Sequence, residues 1–384
     1  MALKVAQRGR ISPFIVMDVV RAANAQAAAG SEVLHLEVGQ PATKAPQPVL
    51  DAAKRALDDS LIGYSDAFGL PELRQALAGH YAALYGVELD PARIAATPGS
   101  SGGFLLAFLA AFEPGDRVAL AAPGYPAYRN ILQALDVEPV LLETDLEHRY
   151  QPTPDLLQGA GRLDGLIVAS PSNPTGTVLD RAALRALVDY CAAEGIRLVS
   201  DEIYHGITYE ERATSALELT DTAIVINSFS KYFCMTGWRL GWMVLPEDLV
   251  RPVECLAQNF FVAAPTLSQH AAVAAFDCRP ELDARVAAYA RNRGLLLERL
   301  PHAGFERLAP ADGAFYLYAD ASRLTNDSPA LCARILKETG VALTPGVDFD
   351  PARGHRFVRF SFAGSEGDMR AACDRLIAFA GAGG

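Results

Sequence analysis

The chain has 384 residues, 51% of them hydrophobic and 21% charged, with a formal net charge of −11. This content buries a large core over about two or three domains and excludes an intrinsically disordered chain. The acidic balance, with no Lys/Arg run, excludes a broad nucleic-acid surface, since neutralising phosphates needs a basic face; it leaves room for a small anion held by a few local donors.

In chain order, 33–38 reads as a strand, and 46–59 and 71–85 have helical spacing, each opened by a proline. A short apolar run at 93–97 is broken by Pro98-Gly99-Ser100-Ser101-Gly102-Gly103, after which 102–112 reads as a buried helix. Further strands are expected at 117–121, 166–169, 196–200, 223–228 and 240–245, with a helix at 180–194. Continuously apolar strands separated by helices point to an α/β fold with a mostly parallel sheet buried on both faces. From about Asp277 the pattern changes: a long charged helix at 281–300, then strands at 315–318, 341–344 and 356–362 and helices at 328–339 and 367–379. We expect a large domain over 46–277 and a smaller α+β domain built from 1–45 and 278–384. A small-residue tail closes the chain at 381–384.

The six cysteines are scattered with no C-x-x-C pair, so reduced thiols, a cytoplasmic setting and no metal centre are expected. Residues 1–10 are polar and lack a signal-peptide run, and the longest apolar run, 104–112, is far short of the ~20 residues a membrane helix needs.

The chemistry concentrates at strand ends. Lys231 lies in Ser228-Phe229-Ser230-Lys231, with Gly237-Trp238-Arg239 beyond it. A lysine amine of lowered pKa condenses with an aldehyde, and two hydroxyls with a guanidinium grip a phosphate dianion. Read alone, the segment is equally a surface lysine after a strand. Asp201, in Asp201-Glu202-Ile203-Tyr204, ends a strand where α/β sheets place ligands; alone it reads as a helix cap. Asn173-Pro174-Thr175-Gly176 offers an amide with donor and acceptor, or simply a chain reversal. Gly99-Ser100-Ser101 opens a helix whose free N–H groups favour an anion, without P-loop or G-x-G-x-x-G spacing. Tyr125 follows Pro123-Gly124 and supplies either a stacking ring or core packing.

Taken together, these segments resemble the class I/II aminotransferases of pyridoxal-phosphate (PLP) fold type I, in order and over nearly the whole chain. The resemblance implies a large PLP-binding domain with a smaller α+β partner, and transamination between an amino acid and a 2-oxo acid by a ping-pong mechanism. It implies that Lys231 bonds the cofactor aldehyde and shuttles the proton. Asp201 is then the pyridinium partner, Tyr204 and Asn173 the ring-oxygen pair, and Tyr125 the stacking aromatic. Gly99, Ser100, Ser101, Ser228, Ser230 and Arg239 are implied as the phosphate cup. Tyr64, in Tyr64-Ser65-Asp66-Ala67-Phe68-Gly69, looks like the tyrosine that reaches the neighbouring subunit's phosphate, which implies a homodimer with shared sites. Arg359, in Arg356-Phe357-Val358-Arg359-Phe360-Ser361, resembles the clamp on the substrate carboxylate, and Gly39 the backbone position near it. Ser101 stands where some aspartate-specific relatives carry a lysine. With Phe14 and Ile15 expected to line a neutral pocket, this favours a neutral or aromatic donor over aspartate, with 2-oxoglutarate as the expected acceptor. The rivals are a C–S β-lyase on the same fold and a PLP-sensing regulator. The regulator would need a DNA-binding domain, for which no room is expected before Ser12.

Overall fold

The structure, a computed structural model, describes residues 3–382, so the last two residues of the small-residue tail lie outside it. Its centre is a seven-stranded sheet in the spatial order Ile94–Thr97, Gly241–Val244, Ile224–Ser228, Arg197–Asp201, Gly165–Ala169, Arg117–Ala122, Glu138–Glu143. Gly241–Val244 runs antiparallel to both neighbours, and the other pairings are parallel. Successive side chains alternate between two cores. Leu166 and Val168 face one with Leu198, Val225 and Trp242, and Ile167 faces the other with Val118, Val199 and Ile226. That burial on both faces is what the continuous apolar runs required.

The covering helices follow from sequence spacing. In Pro71–Tyr85 the buried residues Leu73, Leu77, Tyr81 and Tyr85 fall four apart and form one stripe. Proline fills its first position and Gly86 ends it at φ 67°. Asp180 caps Arg181–Glu194 by accepting from the Ala183 N–H at 2.8 Å. The helix Gly99–Ala111 begins three residues before its expected start at 102. Its glycines are packing devices rather than breakers: a Cβ on Gly103 would sit 3.3 Å from Ile226 Cγ2, beneath which the sheet runs.

Beyond the helix Arg279–Arg299, a four-stranded antiparallel sheet orders Thr344–Pro345, Phe357–Ser361, Tyr316–Asp320 and Arg307–Leu308 around a core of its own. The expected strand at 341–344 divides: Val341–Ala342 pairs in parallel with Leu34–His35, and Thr344–Pro345 joins the larger sheet. The expected strand at 33–38 is likewise cut to two residues. Past it, the carbonyls of Leu36, Glu37 and Gly39 accept from the Ser361 N–H, Arg359 and Lys231 instead of continuing a ladder. The amino-terminal helix Ile15–Ala28 packs Val19 and Ala23 against Leu336 and Ala342. Among the described residues, no helix is long and apolar enough to cross a membrane.

Candidate active site

The C-terminal ends of the parallel strands open on a cavity of about 570 Å³, walled on the other side by the four-stranded sheet and the amino-terminal helix. This is the ligand crevice of an open α/β sheet. Its lining includes Lys231, Asp201, Tyr204, Asn173, Tyr125, Ser100, Ser101, Ser230, Arg239, Gly39 and Arg359. Residues expected from segments far apart in the chain are thus brought to one space.

Lys231 follows the strand Ile224–Ser228, and its Nζ donates to the Gly39 carbonyl at 2.6 Å. Burial lowers its pKa to about 8, helped by Arg359 and Arg239 and opposed by Asp201. A fraction of the amine is therefore uncharged near neutrality, the form that attacks a carbonyl carbon. Gly39 is obligatory: a Cβ there would fall on the Tyr316 hydroxyl.

Asp201 ends its strand 4% exposed and forms no ion pair among the described residues. Burial raises its pKa to about 6 against the lowering effect of hydrogen bonds from the Tyr128 hydroxyl and, at 3.0 Å, the Ile203 N–H. The next residue anchors the turn. The buried Glu202 carboxyl accepts from Ser215 Oγ at 2.8 Å, the Ala216 N–H at 2.8 Å and Ser200 Oγ at 3.2 Å. Desolvation pushes it up to about 7. The Tyr204 hydroxyl lies 2.8 Å from that of Tyr316, and burial holds it well above its ordinary pKa, as a donor.

The anion end gathers at the start of the helix Gly99–Ala111. Gly99 has φ 69°, and a Cβ on it would strike Arg239 Nη2. Arg239 is itself in the left-handed region at φ 53°, a strain that aims its guanidinium at the helix start. Ser228 Oγ donates to Ser230 Oγ at 2.9 Å. The hydroxyls, the guanidinium and the helix N-terminus fit a phosphate dianion, and Asp201 at the far wall fits a protonated ring nitrogen.

At the opposite end Arg359 is 2% exposed. Its Nη1 donates to Asn173 Oδ1 at 2.9 Å, and its Nη2 to the Glu37 carbonyl and, at 3.3 Å, to Thr344 Oγ1. The guanidinium lies between the rings of Tyr316 and Phe349, 4.3 and 4.8 Å from their centroids. Its buried Nε–H has no partner among the described residues. A buried guanidinium on the cavity wall suits a carboxylate.

The sequence match and the structural match agree. The family described as aminotransferase class I and II matches residues 31–376. The valine–pyruvate aminotransferase of Mycobacterium tuberculosis is 50% identical over 378 residues, 97% of each chain.

This chain belongs to the class I and II aminotransferases.

Among solved structures, an aminotransferase from Mycobacterium tuberculosis superposes with a TM-score of 0.97 at 49% identity, covering 99% of this chain and all of that one. A Silicibacter pomeroyi protein described as a putative aminotransferase gives 0.93 at 56%, and Thermus thermophilus aspartate aminotransferase gives 0.92 at 31%, each covering 98% or more of this chain and all of its own. The α/β fold of this aminotransferase is accordingly fold type I, as the resemblance implied.

Not every expected site residue meets the aminotransferase cavity. Ile15 does not line it; its N–H donates to Asp348 Oδ1 at 3.1 Å, while Phe14, Val16 and Met17 form the wall. Ile15 opens the helix Ile15–Ala28, around which successive side chains fan out, and Val16 and Met17 rather than Ile15 fall on the cavity side. Tyr64 is 88% exposed and is not among the residues that line this chain's own cavity. Two tyrosines of the wall, Tyr128 and Tyr316, were not read from sequence. A hint existed for the first, since Tyr128 sits one helical turn beyond Tyr125.

Proposed function

We propose that this aminotransferase is PLP-dependent and moves the amino group of a neutral L-amino acid to a 2-oxo monocarboxylate by a ping-pong exchange. The observation that carries the reading is one cavity lined at once by Lys231, Asp201, Arg239 and Arg359. When bound, the cofactor supplies an aldehyde that takes up the amino group and a ring that spreads the charge left when Cα loses its proton. Lys231 moves that proton. Asp201 would hold a proton on the ring nitrogen, and Tyr204 with Asn173 would hydrogen-bond the ring oxygen. Tyr125 would supply an aromatic face to the ring, and Gly99, Ser100, Ser101, Ser228, Ser230 and Arg239 would hold the phosphate. Arg359 clamps the substrate carboxylate.

The cations lining the cavity are Lys231, Arg239 and Arg359, each already assigned, and Phe14, Val16 and Met17 supply an apolar wall. Among the described residues no further cation there matches a distal carboxylate, which favours neutral donors. The same reasoning, with the name of the 50% identical relative, moves the acceptor from the expected 2-oxoglutarate to pyruvate or a similar monocarboxylate. The test adds amino acids one at a time to PLP-loaded protein and follows its visible absorption and the oxo acid formed. Valine-type donors should convert the enzyme and pyruvate should restore it. Strong preference for aspartate with 2-oxoglutarate would overturn the substrate reading, and pyruvate released from a sulfur amino acid without any acceptor would indicate the lyase.

We take residues 46–277 as the cofactor-binding unit, 1–45 with 278–384 as its smaller partner, and the cytoplasm as the setting. A homodimer is part of the proposal. Leu57, Leu61, Ile62, Tyr64, Phe260 and Val262 are large apolar side chains left exposed. The Thr266 hydroxyl, donating to the Gly63 carbonyl at 2.6 Å, ties the two stretches together. Large apolar side chains exposed on two stretches linked in this way suit a second copy, which would bring Tyr64 to the partner's phosphate. Sedimentation should give twice the 41.0 kDa of one chain; a fully active monomer would refute it.

A further inference from the structure

Among the described residues, Asp201 is the only carboxylate lining the cavity, and it forms no ion pair within 4.0 Å. What it has is two hydrogen bonds, one to each oxygen: Ile203 N–H to Oδ1 at 3.0 Å, and the Tyr128 hydroxyl to Oδ2. The first comes from Asp201's own turn. The second crosses from the helix Pro126–Ala134, on a different strand connection.

Tyr128 is built to stay where it is. It is 3% exposed, with its ring edge-on to Tyr125 at 5.2 Å and to Phe104 at 5.0 Å between centroids. Burial first, and then Asp201's charge, hold its hydroxyl far above its ordinary pKa, so it donates and does not ionise at working pH. Tyr125 is the N-cap of the same helix. The aromatic that faces the cofactor ring and the hydroxyl that holds Asp201 therefore move as one body. A carboxylate pinned on both oxygens keeps one orientation and stays ionised; with one donor removed it rotates more freely and takes up a proton more readily.

We propose that Tyr128 is a positioning residue that fixes the Asp201 carboxylate in its ionised form and so sets how firmly the cofactor's ring nitrogen is held. This rests on the PLP reading above. The groups facing Asp201 are Tyr128 and Tyr125 from the helix and its cap, Lys231 from the neighbouring loop, and Tyr204 and Glu202 from its own turn. Of these, Tyr128 alone donates a side-chain hydrogen bond to it among the described residues.

The test compares wild type, Tyr128→Phe, Asp201→Asn and the double variant as cofactor-free protein titrated with PLP. Tyr128→Phe should weaken PLP binding about tenfold, the scale of one hydrogen bond to a buried charge. It should also raise the acid-limb midpoint of kcat/KM by about one pH unit, since Asp201 would protonate sooner. In the Asp201→Asn background the same change should weaken PLP binding less than twofold, because the residue through which Tyr128 acts has lost its charge. Equal losses in both backgrounds, or a lowered melting temperature with unchanged PLP affinity and pH profile, would overturn the proposal. Wild-type protein that binds no PLP at all would instead defeat the cofactor reading on which it stands.

Discussion

Lys231→Ala should leave a folded protein that has lost transamination by about four orders of magnitude, the upper range for a positioned proton-transfer group. The fold should survive because the side chain is half-buried at a cavity and its one hydrogen bond, to the Gly39 carbonyl, can be replaced by water. The chemistry should not survive. Burial beside Arg359 and Arg239 brings this amine's pKa down to about 8, and among the described residues no other lysine lines the cavity. PLP should still bind through the phosphate end, with a visible spectrum closer to that of the free aldehyde. Stopped-flow absorbance with a neutral amino acid measures the effect. Turnover within tenfold of wild type would sink the assignment of Lys231 and, with it, the mechanism.

Replacing Arg359 should strike the substrate and spare the cofactor. Arg359→Lys keeps one positive charge but loses the planar fork that reaches Asn173, Glu37 and Thr344 together while leaving Nε–H for a ligand. A point charge cannot reproduce a bidentate grip. We expect kcat/KM for amino and oxo acids to fall by about 10²- to 10³-fold, about 3–4 kcal/mol of lost charge-assisted bonding. PLP affinity should change less than threefold. Arg359→Leu separates charge from shape. Besides losing the clamp, it removes the positive neighbour that helps hold Lys231 down, so the lysine's pKa should rise and the alkaline shift should appear in the cofactor's pH titration. In Arg359→Lys that shift should be absent. Unchanged KM values in both variants would mean that the carboxylate binds elsewhere.

How much of this was legible in sequence follows from what kind of signal each feature leaves. Strand ends carrying Ser-x-Ser-Lys, Asp-Glu-x-Tyr and Asn-Pro-Thr-Gly could be read because each motif sits within one turn, and the turn's position at the sheet edge does the rest. The apolar runs revealed the sheet but not that Gly241–Val244 reverses direction, since a strand buried on both faces has the same composition either way. Tyr128 and Tyr316 escaped because their roles exist only through partners 73 and 112 residues away, Asp201 and Tyr204. Ile15 is absent from the lining although its neighbours Phe14, Val16 and Met17 are in it, a one-residue difference that the sequence does not resolve at a helix start.

The order in which the chain is made separates the two ends of the cavity in time. The last strand of the large sheet ends at Val244, while Arg359 lies on Phe357–Ser361, and Leu36 and Glu37 must wait for that strand before their carbonyls find their donors in Ser361 and Arg359. A nascent chain emerging from the ribosome thus owns every strand of the cofactor-facing half more than a hundred residues before it owns the grip for an amino acid. On the PLP reading proposed above, the strands that would carry the cofactor site are thus all synthesised before the strand that carries the substrate clamp.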